Sequence, residues 1–312
     1  MDDLVSVVDR IVTVDYGGRG VVSKLYEAAY KVAGGPLCLT AAKALHKRVS
    51  DGGTVLIATG FRILRYGGAY EVDGLVSSSI LARVLSEDFG AKVGMVVDEG
   101  FGPIIGALVR GAGATPEILE LPIDRDRGGK VFSRFLDMLS PSIMVAVERP
   151  GANLKGVYHN SRGQDISHLH AQTDIFLERL RAADVPLIAV GDGGNEAGMA
   201  VVRSAVEDFV PYGRVCQCGC GGGIASTTGC DYPVISSVSD LGVYGVLTHL
   251  LTPDKMSWVE TAMERVLVRA LEMGCVDAIH GPSFIGVDGV DIYSLKAVLG
   301  LLRRAAEEFY PQ

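Results

Sequence analysis

The chain has 312 residues, of which 48% are hydrophobic and 21% charged, so it can bury a core and is not a disordered protein. A formal net charge of −8 and an isoelectric point near 5.3 argue against a nucleic-acid partner, which needs basic patches. The sequence has no apolar run of the roughly 20 residues that span a bilayer, and its acidic start lacks the layout of a signal peptide. We therefore expect a cytoplasmic protein that binds neither nucleic acid nor membrane.

The first 50 residues predict helices, and the remainder alternates short apolar runs with amphipathic segments. This alternation indicates an α/β fold, with a single doubly wound, mostly parallel, Rossmann-like sheet flanked by helices. We predict one domain over residues 1–312, in which an N-terminal helical segment (1–50) packs on an alternating core (51–312). The predicted helices are 18–35, 36–53, 77–90, 103–113, 128–140, 165–185, 195–210, 241–251, 252–274 and 291–309. The predicted strands are 54–60, 92–100, 117–123, 141–151, 186–194, 213–218, 232–238 and 275–281.

Polar residues follow the apolar runs at the ends of the predicted strands. Ligands of such sheets bind outside the carboxyl ends of the strands. A single acid at this position usually caps a helix or forms a turn. Several acids at equivalent positions meet on one edge, where they share protons or bind a cation. The residues concerned are Thr59, Asp98, Glu148 and Asp192, with Asp231 and His280 as further candidates.

The segment IAVGDGGNEAGMA (188–200) carries the densest such group. Gly193 and Gly194 bend the chain sharply and allow a ligand to approach the backbone. We expect Asn195 and Glu196 in the first turn of the next helix, where free N–H groups favour an anion, unless Glu196 satisfies those groups itself. The segment matches neither G-x-G-x-x-G nor a P-loop, so we predict a site for a polar small molecule and no nucleotide cofactor.

Two loops supply further candidates. Arg149 and Arg162 flank a loop that also holds Tyr158 and Asn160, and arginine suits the bidentate capture of carboxylates. The alternative is a solvated loop whose arginines pair with nearby acids. We expect the second loop, residues 59–74, to close over the active site.

Three cysteines alternate in VCQCGCGGG, and a fourth, Cys230, follows. In an extended segment, Cys216, Cys218 and Cys220 would share one face, and with Cys230 they could hold a soft metal or an iron–sulfur cluster. The spacing is not C-x-x-C, however, and free cysteine is a common buried residue. We favour the core interpretation. Trp258 and the apolar positions of 253–273 belong either to the core or to a homodimer face.

Taken in order, these motifs resemble the D-glutamate cyclase family, in its C-terminal cyclase domain and without the N-terminal domain of longer members. The resemblance covers roughly residues 50–300. Its specific parts are GDGGNEAGM and ERPG with the loop that follows, whereas TGF or VDG alone would be weak. The matching stretches are TGF (59–61), EVDG (71–74), VVDEG (96–100), ERPG (148–151), GVYHNSRGQDIS (156–167), GDGGNEAGM (191–199), CDYPVISSVSDLGVYGV (230–246) and VDG (287–289).

The resemblance implies a hydro-lyase that dehydrates glutamate intramolecularly to 5-oxoproline. The α-amine must lose a proton before it attacks the γ-carboxyl group, and the oxyanion that forms needs a hydrogen-bond donor or a metal ion. We expect Asp192, Glu196 and Glu148 to act as base or to hold Mn²⁺ or Mg²⁺, and Asn195 and Tyr158 to donate to the oxyanion. The expected substrate-binding residues are Arg149, Arg162, Asn160, Gly193, Gly194, Thr59 and Asp73.

The sequence departs from the family pattern at four positions. Val72 stands where the family has Thr, Leu75 where it has Pro, Asp240 where it has Asn, and Leu241 where it has Trp. These changes bear on substrate or stereochemical preference. Two other functions therefore stay open, namely a metal-dependent hydrolase of small acidic amides or lactams and a non-catalytic binder of dicarboxylates or metal.

Overall fold

The computed structural model describes residues 2–50 and 52–309, with side chains from residue 7 onward. Its centre is a six-stranded parallel sheet in the order β5-β4-β1-β6-β7-β8. Counted along the chain, this is the order 3-2-1-4-5-6 of a doubly wound sheet, which confirms the predicted fold class. The sheet strands are Thr54–Thr59 (β1), Lys92–Asp98 (β4), Glu117–Leu121 (β5), Ile143–Val147 (β6), Leu187–Gly191 (β7) and Tyr232–Ile235 (β8).

Two short hairpins lie outside the sheet, and helices cover both of its faces. The hairpin strands are Arg62–Ile63 (β2), Ala69–Tyr70 (β3), Gly286–Val287 (β9) and Val290–Asp291 (β10). The helices are Asp2–Val12 (α1), Val22–Ala33 (α2), Leu37–Val49 (α3), Leu75–Arg83 (α4), Gly102–Ala112 (α5), Arg125–Leu139 (α6), Asp174–Ala182 (α7), Arg203–Phe209 (α8), Ser239–Thr248 (α9), Pro253–Glu272 (α10) and Ile292–Phe309 (α11). A π-helical turn, Val84–Asp88, extends α4, and three 3₁₀ turns lie at Leu64–Tyr66, Ser167–Leu169 and Ala200–Val202.

The central strands are buried on both faces, which explains their unbroken apolar sequences. In β1, Val55 and Ile57 belong to the larger hydrophobic cluster, which includes residues of α1, α3–α5 and α9–α11. Leu56 and Ala58 point to the other face, where α2 and α6–α8 pack. The N-terminal helices thus contribute to both faces of the sheet. The single-domain assignment stays a prediction.

Four predicted elements are wrong in type or extent. Residues 213–218 form only bends, and 275–281 form isolated bridges and turns, so neither is a strand. The helix predicted over 165–185 begins at Asp174, after a 3₁₀ turn. The helix predicted from Asn195 begins only at Arg203, because Gly194 and Gly198 adopt positive φ of 84° and 98°.

Trp258 is partly buried against the larger cluster, with the Arg83 guanidinium 4.1 Å from its ring centroid. This confirms a packing role for Trp258, and the homodimer stays a prediction. No helix within the described part of the chain has the length and apolar character needed to cross a membrane.

Candidate active site

A cavity of about 90 Å³ lies at the carboxyl ends of the central strands. Strands β1 and β6 are neighbours in the sheet although they are not consecutive along the chain, and the point where the strand order reverses is where doubly wound folds bind ligands. Five carboxyl groups and one guanidinium line the cavity, which makes it strongly acidic. The lining residues are Arg19, Phe61, Ile63, Glu71, Asp73, Glu148, Asn160, Ser161, Asp192, Gly193, Asn195, Ala278 and Asp288.

Asp192 follows β7 and has the only arginine of the lining as its partner. Arg19 Nη2 lies 2.9 Å from Asp192 Oδ2 and donates to the carbonyl of Ser237 at 2.9 Å. Asp288 lines the same cavity as Asp192. Burial and the negative charge of Asp192 raise the pKa of Asp288 to about 8, so this carboxyl is protonated at neutral pH. Arg19, Asp192 and Asp288 therefore form a chain from cation to carboxylate to carboxylic acid.

Glu196 holds the turn that carries Asp192. Its Oε1 accepts the backbone N–H of Gly193 at 2.7 Å and that of Asp192 at 3.2 Å, and its Oε2 accepts the N–H of Gly194 at 2.7 Å. The prediction that Glu196 starts a helix is wrong, because the residue lies in an isolated bridge with Pro150. The expected free N–H groups are occupied by the Glu196 carboxylate itself. Burial, followed by the charge of Asp192, raises the pKa of Glu196 to about 7.

Glu148 faces the cavity from the end of β6 in a strained backbone conformation. Its φ is 42°, and Ser239 Oγ donates to its Oε2 at 2.5 Å. Asp288 also has a positive φ, 47°. Such conformations are unfavourable for side-chain-bearing residues and persist at functional sites. Burial, with further repulsion from Asp192 and Glu196, raises the pKa of Glu148 well above its usual value.

Asp73 and Asp240 cap each other's helices. Asp73 accepts the N–H groups of Ser239 at 3.0 Å and Asp240 at 2.8 Å, at the start of α9. Asp240 accepts those of Gly74 and Ser77, both at 3.0 Å, at the start of α4. Asp73 thus lines the cavity with its oxygens already engaged, whereas Asp240 is fully buried and outside it. An asparagine at 240 has the same acceptor oxygen, so this departure leaves the capping intact.

The two predicted arginines occupy different surroundings. Arg149 is 1% exposed and donates to Asp98, the Thr173 hydroxyl and three backbone carbonyls, away from the cavity. Arg162 is exposed, next to the lining residues Asn160 and Ser161. Arg149 cannot reach a ligand in the cavity, whereas Arg162 belongs to the exposed loop that supplies Asn160 and Ser161 to the cavity wall.

The structure brings together only part of the predicted set. Asn195 lines the cavity and donates to the carbonyl of His159 at 3.0 Å, and Gly193 lines it beside Asp192. Tyr158 points elsewhere and donates its hydroxyl proton to Asp174 at 2.5 Å. Thr59 is fully buried beneath the cavity wall and does not line it.

Other strand-end candidates also lie elsewhere. Asp98 is buried against Arg149 and His170. Asp231 precedes β8, so it lies at the amino-terminal ends of the strands, opposite the cavity. His280 is exposed. Gly194 packs against Val206, where an added Cβ would lie 2.1 Å from Cγ2, so this glycine shapes the turn. The expected closing loop 59–74 supplies Phe61, Ile63, Glu71 and Asp73 to the cavity wall.

Sequence reasoning missed Arg19 and Asp288 as site residues. Arg19 lies between two N-terminal helices, far from any strand end in sequence, so no local pattern identifies it. Asp288 lies in the turn between β9 and β10. The VDG match had indicated that turn without giving Asp288 a role.

Residues 8–303 match the family described as "D-glutamate cyclase-like, C-terminal". The chain belongs to this family. It is 28% identical over 253 residues to the human protein named "D-glutamate cyclase, mitochondrial", an alignment that covers 78% of this chain and 38% of the human protein. The chain thus spans well under half of that relative. The relative's name refers to mitochondria, so the cytoplasmic expectation stays a prediction for this chain.

Proposed function

We propose that the acidic cavity converts glutamate to 5-oxoproline by intramolecular dehydration, as a D-glutamate cyclase-like hydro-lyase. The observation that carries the proposal is the arrangement of charge in the cavity. Several carboxyl groups face one guanidinium in about 90 Å³, well below the roughly 300–1,000 Å³ of pockets for larger ligands. A small amino acid with one ammonium and two carboxyl groups complements this arrangement. Membership in the family supports the same reaction.

In the proposed mechanism, the α-ammonium group of the substrate lies among the acids, and Asp192 accepts its proton. The neutral amine attacks the γ-carboxyl carbon, so a C–N bond forms and a tetrahedral intermediate develops. Asn195 donates to its oxyanion. Asp192 returns its proton to one oxygen of the intermediate, which becomes a hydroxyl group. Asp288, protonated near neutral pH, transfers a proton to this hydroxyl, and the C–O bond breaks to release water. The ring nitrogen then gives its second proton to the Asp288 carboxylate, so both acids return to their starting states. No redox change occurs.

Arg19 and Arg162 are the candidates for binding the α-carboxylate, since Arg149 is fully engaged elsewhere. Asn160 and the backbone at Gly193 complete the wall beside them. A guanidinium that binds this group would orient the substrate so that its amine faces Asp192.

Glu148, Asp192 and Glu196 have oxygens within 4.8 Å of one another, and hard cations such as Mn²⁺ or Mg²⁺ prefer such ligands. If a cation is bound, these three residues would hold it, and it would stabilise negative charge. Arg19 already balances Asp192, and three N–H groups already bind Glu196. The proposed steps therefore use only groups of the protein.

The test is incubation of the protein with D- and L-glutamate, with Mn²⁺, with Mg²⁺ and with EDTA, and chiral chromatography of 5-oxoproline. We expect product from one enantiomer. Asp192→Asn should lower turnover by about 10²–10⁴-fold while the melting temperature stays nearly unchanged. Wild-type kcat/KM should fall above about pH 8, where Asp288 ionises. Asp288→Asn, which tolerates the positive φ, should remove activity without unfolding the protein.

Folded protein that forms no product from either enantiomer would contradict the proposal. The same cavity should then be screened with small acidic amides and lactams, the substrates of the alternative hydrolase. Full turnover by Asp192→Asn would remove this residue from the mechanism.

A further inference from the structure

The three cysteines of VCQCGCGGG converge on a histidine from another loop. His159, Cys216, Cys218 and Cys220 place one ligand atom each within 4.8 Å of one another. The Cys216 sulfur lies 3.4 Å from that of Cys218 and 3.2 Å from that of Cys220. His159 Nε2 lies 3.0 Å from the Cys218 sulfur and 3.8 Å from the Cys220 sulfur. The fourth candidate from sequence, Cys230, is buried in the core instead and is not a member of this group.

The glycines between and after the cysteines make this convergence possible. In an extended strand, the thiols of alternate residues would be about 6.6 Å apart, too far to share one ion. Gly219 and Gly221 adopt φ of 85° and 74°, a conformation that other residues rarely take, and they fold the segment back on itself. The sequence analysis considered a metal site of these three cysteines with Cys230 but favoured buried core residues, which is wrong for Cys218, since its side chain is exposed. Because it treated the segment as a strand, it missed the fold-back and His159.

The histidine is oriented as a ligand. His159 Nδ1 lies 3.1 Å from the carbonyl oxygen of Val157, which can only accept, so Nδ1 carries the proton. The lone pair of Nε2 then points at the cysteines. A backbone carbonyl that fixes the tautomer in this way is typical of metal-bound histidine.

The sulfur of Cys220 also receives donors from its surroundings. Asn153 Nδ2 lies 3.4 Å from it and the N–H of Gly222 lies 3.5 Å from it. Such N–H···S contacts stabilise a thiolate, the form that binds metal. Asn153 is 2% exposed, so this donor is held in place.

We propose that His159, Cys216, Cys218 and Cys220 form a structural zinc site. Zinc with tetrahedral geometry and bonds of about 2.3 Å to sulfur and 2.0–2.1 Å to nitrogen separates sulfurs by about 3.8 Å and sulfur from nitrogen by about 3.6 Å. The observed separations of 3.2–3.4 Å and 3.0–3.8 Å are close to these values. They exceed the roughly 2.05 Å of a disulfide, and all three cysteines are free thiols. Four protein ligands make the site closed, so its role is structural and not catalytic.

The zinc site would tie two loops together beside the acidic cavity. The N–H groups of Gln217 and Cys218 donate to the carbonyl of Gly163 at 2.9 and 3.2 Å. The carbonyl of His159 accepts the side chain of Asn195, and the next residue, Asn160, lines the cavity. The ion would therefore position one wall of the cavity without touching the substrate.

Metal analysis of the purified, untagged chain tests the proposal. We expect about one zinc ion per chain after dialysis. Cys218→Ala should lose the zinc, whereas the matched control Cys230→Ala, which removes a buried cysteine outside the cluster, should keep it. Co²⁺ in place of zinc should give the thiolate-to-metal absorption and the intense visible bands of a tetrahedral site, and Cys218→Ala should abolish both.

Alkylation followed by mass spectrometry tests the site in the wild-type protein, independently of whether a variant folds. Zinc should protect Cys216, Cys218 and Cys220, and a chelator should expose Cys218 first, because this side chain is exposed. Zinc that Cys218→Ala retains in full would be adventitious and would overturn the proposal. So would reconstituted protein that leaves these thiols reactive, or the absorption of an iron–sulfur cluster. None of these readouts depends on cyclase activity, so failure of the proposed function would leave the zinc result interpretable.

Discussion

Two groups of charges lie side by side at the same edge of the sheet, and they are built in opposite ways. Asp98 is matched completely by Arg149, by His170 Nδ1 at 2.9 Å and by the N–H of Ala171 at 2.8 Å. The neighbouring cavity holds several carboxyl groups and only Arg19 to balance them. The boundary between the two runs between consecutive residues, since Glu148 faces the cavity and Arg149 faces Asp98.

The pKa values record this difference. Burial alone would raise the pKa of Asp98, but Arg149 and His170 lower it well below the usual value. In the cavity, burial and mutual repulsion raise the pKa of Glu71, Asp73 and Glu148 well above theirs. A fully paired group holds the fold together. An excess of negatively charged groups in a cavity lowers the stability of the fold. Proteins retain such an excess at binding or catalytic sites.

The largest effect should come from breaking the paired group. Arg149→Met leaves the buried carboxylate of Asp98 without its main partner, and we expect the free energy of unfolding to fall by about 3–5 kcal/mol. Urea denaturation measures this. Arg134→Met, at an exposed arginine, should change it by less than about 0.5 kcal/mol. Equal effects of the two substitutions would show that the Asp98 group contributes no special stability.

The cavity predicts the opposite dependence of stability on pH from that of Asp98. The cavity carboxyl groups whose pKa is raised bind protons in the folded state at pH values where the unfolded chain has released them. Between about pH 4 and pH 7–8, the free energy of unfolding should therefore fall as pH rises, by up to about 1.4 kcal/mol per pH unit for each such group. Asp98, with its lowered pKa, contributes stability that is lost only on acidification below about pH 4. Urea midpoints at pH 5, 6, 7 and 8 that stayed constant or rose would contradict this account.

The sequence predicts the parts of this arrangement that depend on local residue patterns, but not those that depend on contacts between residues far apart in the chain. The six strands of the sheet are identifiable from sequence because apolar residues dominate each of them between polar or glycine boundaries, and the positions of Glu148 and Asp192 follow from the strand ends. Contacts between side chains from distant segments leave no such local pattern in the sequence. Arg149 was predicted at the substrate because a loop arginine and a buried one look alike in sequence. Arg19 and the His159–cysteine cluster require contacts between distant segments.

The departures from the family pattern also show this limit. Val72 and Leu241 are fully buried in the larger hydrophobic cluster, and Asp240 lies beneath the cavity. Their sequence positions, adjacent to the family motifs, had indicated an effect on substrate preference. Their burial gives them roles in packing and helix capping, and an effect on substrate preference stays a prediction.

The substitution Asp240→Asn tests the contribution of a single carboxyl group whose pKa is raised. Asparagine can accept the N–H groups of Gly74 and Ser77 as Asp240 does, but it cannot ionise. Burial raises the pKa of Asp240 to about 7, so the variant should gain stability relative to wild type as pH rises from about 4 to 7. The gain should be at most about 1.4 kcal/mol per pH unit, with KM unchanged. A constant difference between the two proteins across this range would rule out titration of Asp240.

The smallest effect on stability should come from Arg19, although it pairs with a central residue of the site. Its side chain is 31% exposed, so solvent screens the pair, and Arg19→Met should change the free energy of unfolding by less than about 1 kcal/mol. Its loss should instead raise KM for glutamate about tenfold or more, because a charged hydrogen bond to substrate contributes about 1.5–3 kcal/mol. Arg162→Met is the matched comparison, since Arg162 is the other arginine near the cavity. The arginine whose removal raises KM is the one that binds the carboxylate, and an unchanged KM in both variants would leave the ammonium group as the main determinant of binding.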